Sequence, residues 1–103
     1  MSFPLKAAIV SVALFAAASL HAQAPATYAA KCQMCHGATG LADTPAGKAM
    51  GTKSFKLPEI VKESDAELTT IITSGKGKMP AFTGKLKDAE ITALVGYIRK
   101  LQK

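Results

Sequence analysis

The sequence contains no tryptophan, and aromatic residues make up only 6% of its 103 residues. A chain of this length forms one small domain, and such a domain buries too little apolar surface to be more than marginally stable. Small domains of this kind usually depend on disulfides, a metal or another prosthetic group. The shortage of large apolar side chains therefore predicts that a non-protein group completes the core.

The sequence also lacks the alternation of apolar and polar residues that is typical of strands, and it shows no internal repeat, charge run or low-complexity linker. Helical signals are present instead. Good helix formers occupy 26–35, Ser64 and Glu67 match a capping box before a helix that stops at Gly75, and a last helix is predicted over 88–102. The fold class predicted is all-α, with about four helices.

Two of these helices carry apolar residues at helical spacing, which predicts the faces that they bury. The residues concerned are Leu68, Ile71 and Ile72 in the helix that stops at Gly75, and Ile91, Leu94, Val95, Ile98 and Leu101 in the last helix. The stretch 41–56 shows neither the helical nor the strand period of apolar residues, and it is interpreted as a loop with one helical turn around 47–50. A further short helix is expected over 57–61, because proline is tolerated in a first turn.

The N-terminal segment has the features of a secretory signal peptide. Lys6 precedes an apolar run over 7–20, and Ala22-Gln23-Ala24 is a small-x-small cleavage site. The run is shorter than the roughly 20 residues that span a membrane, which disfavours the alternative of a retained anchor. We therefore expect residues 1–24 to be cleaved, leaving a domain over 25–103 with no stable membrane insertion and a net charge of +5 instead of +6.

One pentapeptide carries the chemistry of the chain: Cys32-Gln33-Met34-Cys35-His36. Cys-x-x-Cys-His is the signature of covalent c-type haem attachment. Each thiol adds to one of two vinyl groups that lie a fixed distance apart on the porphyrin edge, and the following histidine is carried to the iron. The motif predicts thioethers at Cys32 and Cys35 and an axial iron ligand at His36.

Other uses of the two cysteines are less consistent with the sequence. Thioredoxin-type redox chemistry needs a strand–helix–strand context that is missing here. A structural zinc site takes four protein ligands, and Cys32, Cys35 and His36 are one short of that set in the mature chain. A disulfide between the two cysteines would close a very small loop and add little stability.

The second axial ligand is expected to be a methionine, since Met/His ligation raises the reduction potential of cytochromes c. Met34 lies inside the attachment loop and cannot easily reach the opposite side of a haem. Met50 follows His36 by only 14 residues, whereas Met79 lies in a Gly-rich loop that is stiffened by Pro80. The loop setting favours Met79 over Met50, although buried methionines more often fill gaps in a core.

Taken together, these residues resemble the class I c-type cytochromes over almost the whole mature chain. The resemblance rests on Tyr28 before the Cys32–Gly37 motif, on Lys78-Met79-Pro80-Ala81-Phe82, and on Val95-Gly96-Tyr97-Ile98-Arg99 in the last helix. It implies a helical fold around one covalently bound haem c. It also implies thioethers at Cys32 and Cys35, with His36 as the proximal and Met79 as the distal iron ligand.

The resemblance further implies contacts around the haem. The first helix should cross the last one, with Tyr28 and its neighbours against Leu94, Tyr97 and Ile98. Many relatives have a small residue, often glycine, at this crossing, where the present chain has Ala24, and the predicted cut would leave the first helix short. A proline carbonyl after the motif often steadies the proximal histidine, and Pro45 is the residue expected in that role, with a simple loop breaker as the alternative.

The function that the resemblance implies is one-electron transfer between periplasmic redox proteins, without catalysis, by a monomer. Lysines in the segments around the haem edge would attract a donor or acceptor with an acidic docking face, or they simply keep the protein soluble. These lysines are Lys31, Lys48, Lys53, Lys56, Lys76, Lys78, Lys85 and Lys87. Nucleic acid is not an expected partner, because no basic helix or basic–aromatic cluster is present.

Two other functions stay open at the level of sequence. If Met79 does not bind, a five-coordinate haem could activate peroxide or bind a small gas, but Arg99 is the only arginine and a distal acid–base pair is hard to assemble. The chain could also serve as the haem subunit of a larger redox complex.

Overall fold

Helices account for all the regular secondary structure in the part of the chain that the computed structural model describes, which is the backbone of residues 5–103 and the side chains of residues 18–103. In chain order they are α1 (Leu5–Lys31), α2 (Gln33–His36), α3 (Pro45–Met50), α4 (Pro58–Val61), α5 (Asp65–Ser74) and α6 (Asp88–Leu101). Within those residues the only strand-like pairing is an isolated bridge between Lys76 and Met79. The all-α prediction is confirmed, with two more helical segments than expected.

The core forms where α1 and α5 pack against α6. Its members are Tyr28, Phe55, Leu68, Ile72, Phe82, Ile91, Leu94, Val95 and Ile98. Apart from the half-buried Ile71 and Leu101, every residue of the two apolar faces predicted for α5 and α6 is among them. The period of the apolar residues thus determined which helix faces are buried.

The start of α5 follows its capping signal. The Ser64 side chain accepts a hydrogen bond from the Glu67 backbone N–H at 3.0 Å, which satisfies one of the free donors of the first turn. The helix ends at Gly75, whose N–H donates to the Ile71 carbonyl at 2.8 Å and whose φ is +75°. Glycine adopts this left-handed backbone without steric cost, so the chain can leave the helix directly into the Met79 loop.

The first and last helices cross as the resemblance implied. Ala24 and Tyr28 on α1 are buried, and the Tyr28 and Tyr97 rings lie 5.1 Å apart. A Cβ added to Gly96 would come within 3.8 Å of the His21 ring, so the crossing extends back to that residue. Because α1 is continuous through Pro25, the contact includes residues that the predicted cut would remove.

The predicted signal peptide falls largely on residues 1–17, whose side chains lie outside the described part of the chain, and it stays a prediction. No helix among the described residues combines the length and the hydropathy that a membrane span requires.

One local prediction was wrong: 26–35 is not a single helix. Cys32 has φ −122° and ψ −35°, which separates α1 from α2, since helical residues keep φ near −63°. The hydrogen bonds nevertheless continue across the break, from the Cys32 N–H to the Tyr28 carbonyl at 2.9 Å and from the His36 N–H to the Cys32 carbonyl at 3.0 Å. The result is a kink at the first cysteine.

Tyr28 connects α1 to the end of the motif. Its hydroxyl donates to the Gly37 carbonyl at 2.6 Å, and its side chain is almost fully buried. Burial raises the pKa of the Tyr28 phenol well above its usual value, so the hydroxyl remains protonated and available as a donor. This hydrogen bond fixes the position of α2 against α1.

We expect Tyr28→Phe to lower the free energy of unfolding by about 1–2 kcal/mol, because it leaves the Gly37 carbonyl without this buried donor. Denaturant unfolding should show a lower midpoint at an unchanged slope. Tyr97→Phe is the matched control, since within the described residues the Tyr97 hydroxyl makes no hydrogen bond. Equal midpoints for the two variants would contradict the role given to the Tyr28 hydroxyl.

Candidate haem-attachment site

The attachment motif lies at the kink and along α2. Cys32 precedes the helix, Cys35 lies within it, and His36 is its last residue. Both thiols are half-buried, and they are free and not joined in a disulfide. Burial raises the pKa of Cys32 to about 11, which keeps this thiol protonated near neutral pH.

A hydrogen-bonded turn closes the chain after the motif. The Ala42 N–H donates to the His36 carbonyl at 2.8 Å, and Ala42 itself is buried with φ +55°, in the left-handed region that residues other than glycine seldom adopt. The Thr44 hydroxyl caps α3 by accepting from the Gly47 N–H at 2.9 Å, and it donates to the Met34 carbonyl at 2.6 Å. Thr44 therefore connects α3 to the attachment loop.

Gly47 is a packing residue of the site that the sequence did not indicate. A Cβ at this position would overlap the Cys35 carbonyl oxygen and would lie 3.0 Å from both the Ala42 carbonyl oxygen and the Thr44 hydroxyl. Only glycine therefore lets α3 pack directly on α2. The sequence signal was its position three residues after Thr44, since Thr-Pro-x-Gly is a capped helix start and not simply a loop.

His36 has a half-buried ring in a largely apolar setting. Desolvation lowers the pKa of the His36 imidazole, which favours the neutral form that binds metals. Its Nδ1 atom is buried and has no hydrogen-bond partner among the described residues. Pro45, expected to offer a carbonyl to this ring, begins α3, and its role stays a prediction.

The sequence did not indicate that Phe55 would lie against the His36 ring. The Phe55 ring stacks on the imidazole with the centroids 4.5 Å apart and the planes 22° apart. Phe55 is the only aromatic residue in the irregular stretch 41–56, and that was the one available signal.

Met79 differs from the other two mature methionines in burial. Met34 is 77% exposed and Met50 is 52% exposed, whereas Met79 is half-buried and packs against the core. Cys32 packs against the same core cluster. Burial therefore favours Met79 over Met34 and Met50 as the iron ligand, as the loop setting in the sequence does.

The loop that carries Met79 is fixed by backbone hydrogen bonds. The Met79 N–H donates to the Lys76 carbonyl at 2.9 Å, and the Lys76 N–H donates to the Met79 carbonyl at 3.1 Å. The tight turn between them uses Gly77 at φ +57°. Beyond Met79, the Phe82 N–H donates to the Ile72 carbonyl at 3.0 Å, which ties the loop to α5.

Gly75→Ala should disturb this loop more than Gly77→Ala does. A Cβ at Gly75 would lie 2.7 Å from the Met79 carbonyl oxygen and 2.9 Å from the Ala81 nitrogen, whereas at Gly77 it meets no atom within 4 Å. Both positions have positive φ, but Gly75 also has ψ 170°, a conformation that is essentially restricted to glycine, and it adds the collision. We expect a loss of about 2–3 kcal/mol in unfolding free energy for Gly75→Ala and about 1 kcal/mol for Gly77→Ala.

The unfolding midpoints of the two purified variants measure this difference. The near-infrared band of methionine–iron ligation, recorded on the same samples, should weaken only in Gly75→Ala. Equal losses of stability in the two variants would show that the close approach of Gly75 to the Met79 carbonyl is unimportant.

The residues present fit a covalently held haem. The motif provides two free thiols with the required spacing and, directly after them, an imidazole whose neutral form is favoured by desolvation. The half-buried Met79 thioether lies on the loop after α5. Thiols at this spacing attach the porphyrin, while imidazole and thioether are the ligand pair of cytochrome c iron. By contrast, no cluster of three or more metal-binding side chains that could hold an ion directly occurs in the described part of the chain.

Comparisons with known proteins show which family the chain resembles. Residues 20–98 match the family model described as cytochrome C oxidase, cbb3-type, subunit III. A cytochrome c6 from Leptolyngbya boryana is 32% identical over 72 residues, which cover 67% of this chain and 78% of the relative. A cytochrome c6 from a Picosynechococcus species is 33% identical over 75 residues, which cover 69% of this chain and 64% of that protein.

Among solved structures, the KustC0563 c-type cytochrome superposes with a TM-score of 0.70 at 32% identity, covering 77% of this chain and 96% of that one. Residues 20–98, which the family model matches, contain the attachment motif, the Met79 loop and most of α6. The chain therefore belongs to the cytochrome c family, as a small all-α class I c-type cytochrome with covalently bound haem c.

Proposed function

We propose that this cytochrome is an exported, periplasmic one-electron carrier in which His36 and Met79 are the axial iron ligands. The observation that carries the proposal is the placement of Met79: it is the half-buried methionine of the mature chain, on a loop held by reciprocal backbone hydrogen bonds. The relatives named cytochrome c6 support a carrier of the same kind.

The residues of this chain would hold the cofactor and limit its rearrangement. Haem c, when bound, would supply an iron centre that takes up and releases one electron. Cys32 and Cys35 hold it covalently, and neutral His36 presents a ring nitrogen to the metal. Because the Met79 backbone is fixed on both sides of the turn, its thioether can stay in place in both oxidation states, which keeps the cost of electron transfer low.

The alternative of a peroxidase finds little support in the contacts of Arg99. Its guanidinium donates to an Asp65 carboxylate oxygen at 2.8 Å and to the Gln102 side chain at 2.9 Å, and it also contacts the Glu63 carbonyl. Arg99 thus fastens the segment before α5 to the last helix and is not free to act as a catalytic cation. Electron transfer without an enzymatic step is the function that these residues favour.

Carbon monoxide binding to the reduced protein tests this choice. A carrier with Met79 bound should react slowly and incompletely with carbon monoxide, because the thioether must leave first. Fast, stoichiometric binding would instead show an open coordination position and would support the gas-binding alternative.

The docking face of the carrier is proposed to be basic. All eight lysines predicted to surround the haem edge are exposed, and they would attract a partner with an acidic face. The rate of electron exchange with such a partner should fall as salt is raised, because exposed charges are screened beyond about 10 Å at 0.1 M salt. A rate that is independent of ionic strength would assign the lysines to solubility alone.

A second candidate function follows from the description of the matching family, which is that of a cytochrome oxidase subunit. In that case the chain would serve as the haem subunit of a larger redox complex. Copurification of other redox subunits at physiological salt would support this role, whereas isolation as a monomer would support the free carrier.

A further inference from the structure

The segment after α3 returns to the attachment motif and places Phe55 against His36. The Phe55 side chain is 8% exposed, and the two rings lie nearly parallel at a centroid distance of 4.5 Å. Stacked aromatic rings at such distances attract each other beyond the area that they bury. The stack therefore defines a plane in which the imidazole lies.

The backbone of Phe55 is held at both of its polar groups. Its N–H donates to the Gly40 carbonyl at 2.9 Å, and its carbonyl accepts from the Gln102 side-chain amide at 3.1 Å. The first bond joins Phe55 to the loop after the motif, and the second joins it to the end of α6. Phe55 is thus anchored from two directions.

The ring of Phe55 is confined as well. Tyr28 meets it edge-on with the centroids 6.4 Å apart. On another side, a Cβ added to Gly40 would lie 2.6 Å from Phe55 Cδ2, so the ring already fills the space beside that glycine. The ring has little freedom to turn away from His36.

His36, in contrast, has no polar contact that fixes its ring within the described residues, since its buried Nδ1 is without a hydrogen-bond partner there. Metal-bound histidines usually donate this second N–H to a carbonyl or a carboxylate, which sets the orientation of the ring. Among the described residues, the contact that faces the plane of this imidazole is the Phe55 stack.

We propose that Phe55 is the positioning residue that fixes the plane of the His36 imidazole when His36 binds the haem iron. The inference rests on the proposed function, because it takes His36 as an axial ligand. It assigns the orientation to a ring stack that is supported by Tyr28, Gly40 and Gln102. The orientation is then the same in both oxidation states, because the stack carries no charge that changes with the iron.

The experiment is proton NMR of the ferric, haem-loaded protein, in which the spread and the order of the haem methyl shifts report the orientation of the imidazole plane. Phe55→Leu removes the ring and keeps an apolar side chain, and we expect it to change the order of the shifts or to narrow their spread. Phe55→Tyr keeps a flat ring and should restore the wild-type pattern. Leu68→Ala, in the same core but outside the stack, should lower the stability and leave the pattern unchanged.

A second pair of variants moves the ring without replacing it. Gly40→Ala places a methyl group against Phe55, whereas Gly84→Ala meets nothing within 4 Å. The two glycines have φ of +79° and +76°, so both variants place an alanine at a similar positive φ. Only Gly40→Ala should alter the methyl shifts, and it does so even if Phe55→Leu fails to accumulate as folded protein.

The possible outcomes distinguish a failure of the positioning role of Phe55 from a failure of the proposed His36 and Met79 ligation. A wild-type shift pattern in both Phe55→Leu and Gly40→Ala, with lowered stability alone, would overturn the positioning role and leave Phe55 as a core residue. A wild-type ferric protein that lacks the low-spin spectrum of histidine–methionine ligation would instead refute the proposed function. Altered shifts in Phe55→Leu and Gly40→Ala, but not in Leu68→Ala or Gly84→Ala, would establish the inference.

Discussion

Met79→Ala is expected to abolish the weak near-infrared methionine–iron band of the ferric protein and to lower its reduction potential. The thioether stabilises the ferrous state, and axial ligands set haem potentials over about 0.8 V, so a drop on the order of 0.1 V or more is expected. The reduced variant should also bind carbon monoxide rapidly. The covalent haem should be retained, because Cys32 and Cys35 are unchanged.

The other mature methionines provide the controls for this prediction. Met34→Ala and Met50→Ala change side chains that are 77% and 52% exposed, so both should keep the near-infrared band and the wild-type potential. Loss of the band in Met50→Ala, with retention in Met79→Ala, would transfer the ligand role to Met50. Optical spectra of the ferric proteins together with potentiometry give both readouts on the same samples.

Gly47→Ala is expected to have the largest effect on folding and haem loading. The added Cβ would collide with the carbonyl of the second attachment cysteine and would push α3 away from α2. Overpacking in a closely packed site typically costs about 1–3 kcal/mol of unfolding free energy and occasionally more. We therefore expect a strongly lowered unfolding midpoint and a reduced fraction of haem-bound protein in cell extracts.

Gly51→Ala is the matched control for that variant. It lies at the other end of α3 with φ +68°, and a Cβ there meets no atom within 4 Å. Gly51→Ala therefore adds backbone strain of about 1 kcal/mol without a collision. Gly47 has no positive φ, so the cost of Gly47→Ala comes from the collision. If Gly51→Ala lost as much bound haem as Gly47→Ala, close packing of α3 on the motif would not explain the effect.

The features that the sequence predicted correctly depend on residues close together in the chain. Helices α5 and α6 follow from apolar periodicity and from the capping residue Ser64, both of which are local signals. The pairing of Tyr28 with the last helix came from the resemblance.

The features that were missed depend on how distant segments meet. Nothing local to Phe55 shows that its ring will stack on His36, because the contact requires the chain after α3 to return to the motif. The close approach of Gly47 to the Cys35 carbonyl is likewise a property of two helices together. The kink at Cys32 was missed because helix formers on both sides of it predict a continuous helix, and propensity is weaker than tertiary packing.

The central claim is that the residues of this chain hold one haem c between His36 and Met79 for single-electron transfer. Redox titration of the purified protein, followed by visible and near-infrared spectroscopy, tests it most directly. We predict one reversible one-electron transition, c-type absorption bands in the reduced form, and the methionine–iron band in the oxidised form. A ferric protein without that band, or a reduced form with the spectrum of a five-coordinate haem, would contradict the claim.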